Sequence, residues 1–472
     1  MLDENITYFE KQARVYPRSV KGRYRRLKWA AIAVLLGIYY ATPWLRWHRG
    51  ENLPDQAVLI DMPARRAYFF GIEIWPDEVY FITGILVLAA IGLFFATSLL
   101  GRVWCGYACP QTVWTDLFVW VEEKIQGDRN ARMKLDAGGW TFAYVWKKAV
   151  THMLWIVIAL CTGGAWVMYF NDAPTLFDNL RHFDMPWSVG SWILGLTGST
   201  YLMAGYAREQ VCKYMCPYAR FQSAMFDKDT LIIGYDAGRG EPRGKHKKGT
   251  SWEGHGHCID CMQCVVVCPV GIDIRNGLQM ECIACGLCVD ACNGVMDKID
   301  LPRGLIRYDT QRNYEARRAG STAKSRLRIL RPRTFYYAGV ISLVAGLMLY
   351  GLIARPRMEL HAIQNRNPLF VKLSDGSIRN TYVVKILNKT HETRHFSLGI
   401  EGMTPKQMTL QSATPLDPSD LEVVGGLVAQ YRLMVVADKL PDPRHTISIT
   451  AKEIGGKLHD EATTIFVSGD EP

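Results

Sequence analysis

Between Cys258 and Cys292 the chain reads C-x2-C-x2-C-x3-C-P and then C-x2-C-x2-C-x3-C-N, eight cysteines within 35 residues. Disulfides, zinc and iron–sulfur clusters are the three ways to account for so many thiols, and spacing separates them. A zinc ribbon needs only two Cys-x2-Cys pairs with a longer gap between them. Here each run has three thiols in a tight arc and a fourth displaced by three residues, the ligand spacing of a bacterial ferredoxin with two [4Fe-4S] clusters. In that geometry the arc holds three corners of one cubane and the displaced cysteine reaches across to the other. Cys258, Cys261, Cys264 and Cys292 are therefore expected to hold one cluster, and Cys282, Cys285, Cys288 and Cys268 the other. Pro269 follows the first run, whereas Asn293 follows the second. That departure alters a turn and leaves the ligand count unchanged. About fifty residues around two clusters leave little apolar core, so metal binding is expected to supply much of the folding energy.

The mean hydropathy is near zero, but apolar and polar stretches are sharply segregated. Five windows read as membrane spans of about 20 residues: Trp29–Leu45, Val79–Leu100, Ala149–Phe170, Trp187–Ala207 and Thr334–Ala354. Lys and Arg concentrate before the first span (Arg18, Lys21, Arg23, Arg25, Arg26, Lys28), after the second (from Arg102 to Lys148), and between the fourth and fifth, where Lys247, Lys248 and Arg326 belong to the most basic stretch. The positive-inside rule then places these segments in the cytoplasm of a multi-pass inner-membrane protein, with the chain beyond about residue 355 outside. The net charge of +10 is accounted for by that topology and by anionic lipid, with no nucleic acid required. A polar stretch precedes the first span and no small-residue cleavage site follows it, so that span is expected to remain as an anchor. All thirteen cysteines fall in expected spans or on the cytoplasmic side, where disulfides are disfavoured.

The expected organisation is a multi-domain chain. It comprises a cytoplasmic N-terminal segment (1–28), a membrane domain of four spans (29–207), a cytoplasmic insert (208–333) with the cluster segment at 255–300, a fifth span (334–354), and a β domain (355–472). Within the insert, GYDAGRGEPRGKHKKGT (234–250) reads as a mobile, solvated linker. Beyond 356 the pattern changes to short alternating runs, such as Tyr382, Val384 and Ile386, then Phe396, Leu398 and Ile400, then Ile447 and Ile449, and finally Thr464–Val467. Turn signals such as Asp375-Gly376 separate them. This predicts a small β-sandwich, immunoglobulin-like by size and strand spacing. His391 and His395 read there as surface histidines.

A second cysteine signal lies at two corresponding places. GRVWCGYACPQTVW supplies Cys105 and Cys109 after the second window, and REQVCKYMCPYARFQ supplies Cys212 and Cys216 after the fourth. Both pairs read C-x3-C-P. Pro110 and Pro217 disfavour α geometry at the preceding cysteine and suit the first turn of a new helix. Cys109 and Cys216 are thus expected at helix N-termini, where the dipole and nearby cations lower a thiol's pKa. Such thiols suit a soft ion such as copper(I), although cysteine chosen for packing remains an alternative. Cys161, alone in the third window, reads as a small core hydrophobe, and His152 as a partnered polar residue.

The cluster run between spans, WCGYACPQ, VCKYMCPYARFQ and the external β domain together resemble the FixG/RdxA/CcoG family of cbb3-type cytochrome c oxidase accessory proteins. That resemblance covers nearly the whole chain. It implies an inner-membrane oxidoreductase, a cupric reductase that turns Cu(II) into Cu(I) for oxidase maturation, with Cys105, Cys109, Cys212 and Cys216 as its copper-binding, catalytic residues. Copper ions or a copper chaperone, oxidase assembly factors and an unspecified electron donor are the implied partners. The C-x3-C-P pairs are also similar to those of membrane ferredoxins associated with quinol oxidation in periplasmic nitrate reduction. This likeness implies an alternative, a quinol-linked electron relay without copper chemistry, in which the pairs serve structure or a further cluster; a third reading makes the protein an assembly scaffold whose external β domain binds oxidase subunits.

Overall fold

The computed structural model describes residues 14–50, 52–246, 251–319, 328–411 and 416–469. Lys247, Lys248, Arg326 and the first thirteen residues of the N-terminal segment lie outside the described residues. The chain divides into two compact units, Met1–Arg46 with Gln56–Met348, and Trp47–Asp55 with Leu349–Pro472.

In the first unit α1 (Arg23–Ala41) is followed by a three-stranded sheet of β1 (Val58–Asp61), β2 (Arg66–Phe69) and β3 (Ile72–Ile74). Then come α2 (Tyr80–Leu100), α3 (Pro110–Gln126), α4 (Arg129–Ala137), α5 (Phe142–Val167), α6 (Ala173–His182) and α7 (Trp187–Leu202). Among the described residues, three helices are long and apolar enough to cross a membrane: Pro76–Leu100, Phe142–Val167 and Pro332–Ala354. This corrects the expectation of five. The window at Trp29–Leu45 belongs to α1, which opens on Arg23, Arg25, Arg26 and Lys28 and ends in a tight turn containing Pro43. The window at Trp187–Ala207 holds a helix of 16 residues, about 24 Å long at 1.5 Å per residue, before the winding widens at Met203. That length is short of a hydrocarbon core of about 30 Å.

α3, α5 and α7 pack through small residues and rings. A Cβ on Gly163 of α5 would lie 2.9 Å from the Ile193 carbonyl oxygen of α7. Phe118 of α3 stacks on Trp155 of α5 at 5.1 Å, and the indole N–H donates to the Phe118 carbonyl at 3.1 Å. Cys161 is exposed, a correction to its expected core position: Ala159, Thr162 and Gly163 occupy the buried face of α5 instead.

Beyond α7 the chain runs through α8 (Arg208–Gln210), α9 (Pro217–Met225), β4 (Leu231–Tyr235), α10 (Ala237–Gly240), α11 (Gln263–Val266), α12 (Leu287–Met296), β5 (Ile306–Thr310), α13 (Gln311–Arg318) and α14 (Pro332–Ala354). β4 and β5 pair antiparallel, with Ile233 opposite Tyr308, so the cluster segment is a loop closed by a two-stranded clasp. The expected linker is therefore ordered at its start. Gly234 and Tyr235 end β4, and the Asp236 carboxylate receives Arg307 at 2.8 Å and Arg317 at 3.2 Å. Asn293, in place of the usual proline, accepts the Gly304 N–H at 2.9 Å.

One contact ties the cluster segment to α1. Asp290 of α12 accepts the backbone N–H groups of Tyr24 at 3.2 Å and Arg25 at 2.8 Å, acting as an N-cap supplied from outside the helix. A Cβ on Gly22 would meet the Asp290 Cγ at 2.2 Å, so only glycine admits this approach. Asp290→Ala leaves both N–H groups without that acceptor. The expected loss is about 1 kcal/mol of stability, read as a lower melting temperature with unchanged iron content.

The second unit is a sandwich. One sheet runs β10 (Gln407–Gln411), β12 (Val428–Ala437), β8 (Ile378–Asn388), β6 (Met358–Gln364), with β7 (Val371–Lys372) also on β8. The other runs β11 (Leu421–Val423), β9 (Arg394–Glu401), β13 (Arg444–Glu453), β14 (His459–Val467). Tyr382, Val384 and Ile386 of β8 meet Phe396 and Leu398 of β9 and Ile447 and Ile449 of β13 in one core, as the alternation predicts. Buried Asn380 bridges the sheets, donating to the Val467 carbonyl at 2.8 Å and accepting the Val467 N–H at 3.1 Å. His391 and His395 are exposed.

Candidate metal centres

The two C-x3-C-P segments fold alike. Trp104–Ala108 and Val211–Met215 each form a widened π turn, closed by N–H groups that reach back five residues, Cys109 to Trp104 and Cys216 to Val211, both at 2.8 Å. Cys109 (φ −61°, ψ 126°) and Cys216 (φ −78°, ψ 113°) are extended, because the proline ring that follows excludes α geometry. Pro110 and Pro217 then start α3 and α9. Widened turns of this kind cluster at functional sites.

The four thiols lie near one another. Burial pushes the Cys212 thiol up to about 12, and the neighbouring Cys109, Cys105 and Cys216 add to the rise. Cys105 is likewise raised by burial, against the pull of Gln222 and Arg102. Cys105 and Cys212 are thus made harder to ionise, because desolvation outweighs nearby positive charge. No three of these sulfurs lie within 4.8 Å of one another. That is wider than the roughly 3.8 Å between sulfurs in a closed tetrahedral site with 2.3 Å bonds.

The cluster cysteines separate into two groups. Cys258, Cys261, Cys264 and Cys292 line one small cavity. Cys268, Cys282, Cys285 and Cys288 gather with Val267, Val270, Ile272, Ile283 and Leu287 in an apolar cage. The first three of these thiols all act on Cys288, whose thiol burial holds well above its usual value. Each group offers four soft sulfur donors in an apolar shell, and so fits a [4Fe-4S] cubane.

The C-x3-C-P site is built directly onto the second cage, and Cys105 and Cys212 pack against it. A Cβ on Gly106 would lie 2.8 Å from the Ile283 carbonyl oxygen and 2.9 Å from that of Ala284. The Tyr107 hydroxyl donates to the Cys285 carbonyl at 3.1 Å, and Tyr308 donates to that of Ala284. Arg102, buried, donates to the Cys282 carbonyl at 3.3 Å and to that of Ala219 in α9. With its amide oxygen turned toward Arg102, Gln222 accepts from that guanidinium at 2.8 and 3.2 Å, and the amide also lies against the Cys105 sulfur. Gly106, Tyr107 and Gln222 carry no motif of their own. Only their adjacency to the cysteines in sequence pointed to them.

These features define a membrane-associated iron–sulfur electron-transfer protein with a C-terminal β-sandwich. Residues 207–311 match the family model of a 4Fe-4S dicluster domain, residues 82–127 that of a 4Fe-4S binding domain, and residues 348–469 that of the IG-like fold at the C-terminus of FixG. Nitrogen fixation protein FixG of Rhizobium meliloti is 50% identical over 426 residues, covering 85% of this chain and 81% of the relative. Protein RdxA of Cereibacter sphaeroides is 49% identical over 430 residues, covering 91% and 90%. Ferredoxin-type protein NapH of Haemophilus influenzae is 23% identical over 286 residues, covering 57% and 85%. The chain belongs to the FixG/RdxA family.

Proposed function

We propose that this protein reduces Cu(II) to Cu(I) at Cys105, Cys109, Cys212 and Cys216. The electrons come from clusters held by Cys258, Cys261, Cys264 and Cys292, and by Cys268, Cys282, Cys285 and Cys288. Following the family resemblance, the copper(I) serves maturation of a cbb3-type cytochrome c oxidase. The cluster segment faces the cytoplasm and the β-sandwich faces the periplasm, in keeping with the one-sided distribution of Lys and Arg. The observation that carries the reading is the backbone contact between Gly106 and the Ile283–Ala284 peptide, which puts the thiol pair against the ligand arc of a cluster. Thiolate donors favour copper(I) over copper(II) and so raise the potential of the bound ion.

Replacing all four of these cysteines with alanine is expected to abolish copper binding and cupric reductase activity while the cluster absorbance stays. Reductase activity that survives would sink the assignment. A second reading has its own support: the 4Fe-4S binding match at 82–127 includes Cys105 and Cys109, which suits a further cluster in a relay without copper. Metal analysis of anaerobically purified protein separates them. About eight iron atoms with copper bound fits the reductase, and clearly more than eight without copper fits the relay.

A further inference from the structure

Gln222 is fully buried and lies six residues beyond Cys216, on the helix that Pro217 starts. Its side-chain amide reaches back to the other thiol pair, with its two heavy atoms 3.5 and 3.7 Å from the Cys105 sulfur. Which end is the oxygen follows from the partners. The Arg102 guanidinium, 4% exposed, can only donate, so the end it faces at 2.8 and 3.2 Å is the oxygen. The end 3.7 Å from the sulfur is then the nitrogen, a donor.

Arg102 is fixed in its turn. It donates to the Cys282 carbonyl at 3.3 Å and to the Ala219 carbonyl, so one guanidinium ties the peptide of a cluster ligand to the amide beside Cys105. The amide is not something the repeated C-x3-C-P motif carries with it. Six residues beyond Cys109 the chain has Thr115, whose hydroxyl accepts from Gln111 at 3.3 Å. Only the second motif supplies an amide from this position.

We propose that the Gln222 amide donates a hydrogen bond to the Cys105 sulfur when a metal is bound there and raises the reduction potential of that metal, with Arg102 as the positioning residue that sets the amide's orientation. The inference rests on the reading that these four cysteines hold a metal centre, copper or a further cluster, and not on which of the two it is. A metal-bound thiolate has no proton, so toward this amide it acts only as an acceptor. The N–H draws electron density from the sulfur and weakens a donor that would otherwise favour the more oxidised metal. Hydrogen bonding around a cysteine sulfur tunes the potential of copper sites and of iron–sulfur clusters alike. With Gln222 wholly buried, no water competes for its N–H.

The test uses the full chain, purified anaerobically in detergent with its iron and then loaded with copper. In Gln222→Met the midpoint potential of the bound copper should fall by about 59 mV, a tenfold loss of preference for copper(I) over copper(II). The sulfur-to-copper(II) charge-transfer band should move to longer wavelength, at unchanged iron content and copper stoichiometry. Gln222→Glu keeps an acceptor for Arg102 and loses the N–H, so it should move both readings in the same direction. An unmoved potential and band in Gln222→Met with full iron overturn the proposal. So does a shift in Gln222→Met that Gln222→Glu lacks, because it traces to Arg102 losing its acceptor. Where Gln222→Met does not fold, Gln222→Glu decides by the same two readings. Copper that binds the wild type no better than the variant lacking Cys105, Cys109, Cys212 and Cys216 ends the copper reading alone. The two variants are then read on the potential of the further cluster, which should fall likewise. A cluster potential that neither variant moves overturns the proposal, as does a site that holds neither metal.

Discussion

Gly106→Val is expected to lower the iron content of the purified protein by roughly half, from about eight atoms to about four. The first atom of any side chain at this position would stand 2.8 Å from the Ile283 carbonyl oxygen, 2.9 Å from that of Ala284 and 3.1 Å from the Ala284 carbonyl carbon. All three are backbone atoms, so no flexible side chain can swing aside. Nor can the peptide yield cheaply, because Ala284 already sits at φ 52°, a left-handed conformation that costs a non-glycine residue free energy. Pushing on this peptide moves Cys282 and Cys285, two donors of one cage, and leaves the group of Cys258, Cys261, Cys264 and Cys292 untouched. Iron analysis together with the cluster absorbance reads the outcome, and Gly106→Ala should show a smaller loss. Full iron content in Gly106→Val would mean that the two backbones are not in firm contact, and the route from cluster to thiol pair would lose its support.

Glu122→Leu should be the most destabilising single change in the first unit, by about 3–5 kcal/mol. This carboxylate is 2% exposed and receives Arg208 at 2.6 Å, Arg132 at 3.0 Å and Arg14 at 3.1 Å. Removing it leaves two buried guanidinium groups without their counter-charge, a far larger cost than losing an exposed pair. Because a buried pair exchanged for apolar residues is often tolerated, the triple change Glu122→Leu, Arg132→Leu, Arg208→Met should be more stable than Glu122→Leu alone. Thermal unfolding in detergent reads this, and equal stability of the two variants would contradict it. Burial alone would raise the Glu122 carboxyl, but Arg208, Arg14 and Arg132 overcome it and hold the group below its usual range. A depressed folded-state pKa contributes stability that is fully present above the unfolded value of about 4.3 and is lost as pH falls through the folded value. Wild-type unfolding should therefore steepen toward acid below about pH 4.3, and the triple variant should lose that part of the dependence.

Much of this site was legible because its cysteines are spaced by local rules. The arcs of three thiols, the displaced fourth and the prolines after Cys109 and Cys216 each act within a few residues, and the backbone follows them. The alternation at Tyr382, Val384 and Ile386 was legible for the same reason, since a strand with one buried face has a period of two. The span count failed where composition misled about winding: the window at Trp187–Ala207 is apolar enough, but its helix gives way to π turns at Met203. The linker reading missed the order at the start of that segment because charge near Asp236 was taken as solvation, when Arg307 and Arg317, far along the chain, fold back onto that carboxylate.

The sequence by itself determined which atoms are available for chemistry here, namely two sets of cluster thiols and two thiol pairs, each displayed by a local turn. Tertiary structure alone decided that these sets adjoin. Arg102 reaches Cys282, 180 residues away, Gln222 lies against Cys105 across 117 residues, and Gly106 admits the Ile283–Ala284 peptide. Periodicity and spacing record what a residue does to its own backbone. The identity of a packing partner depends on surfaces that no single segment contains, and the contact between Gly106 and the Ile283–Ala284 peptide is of that kind.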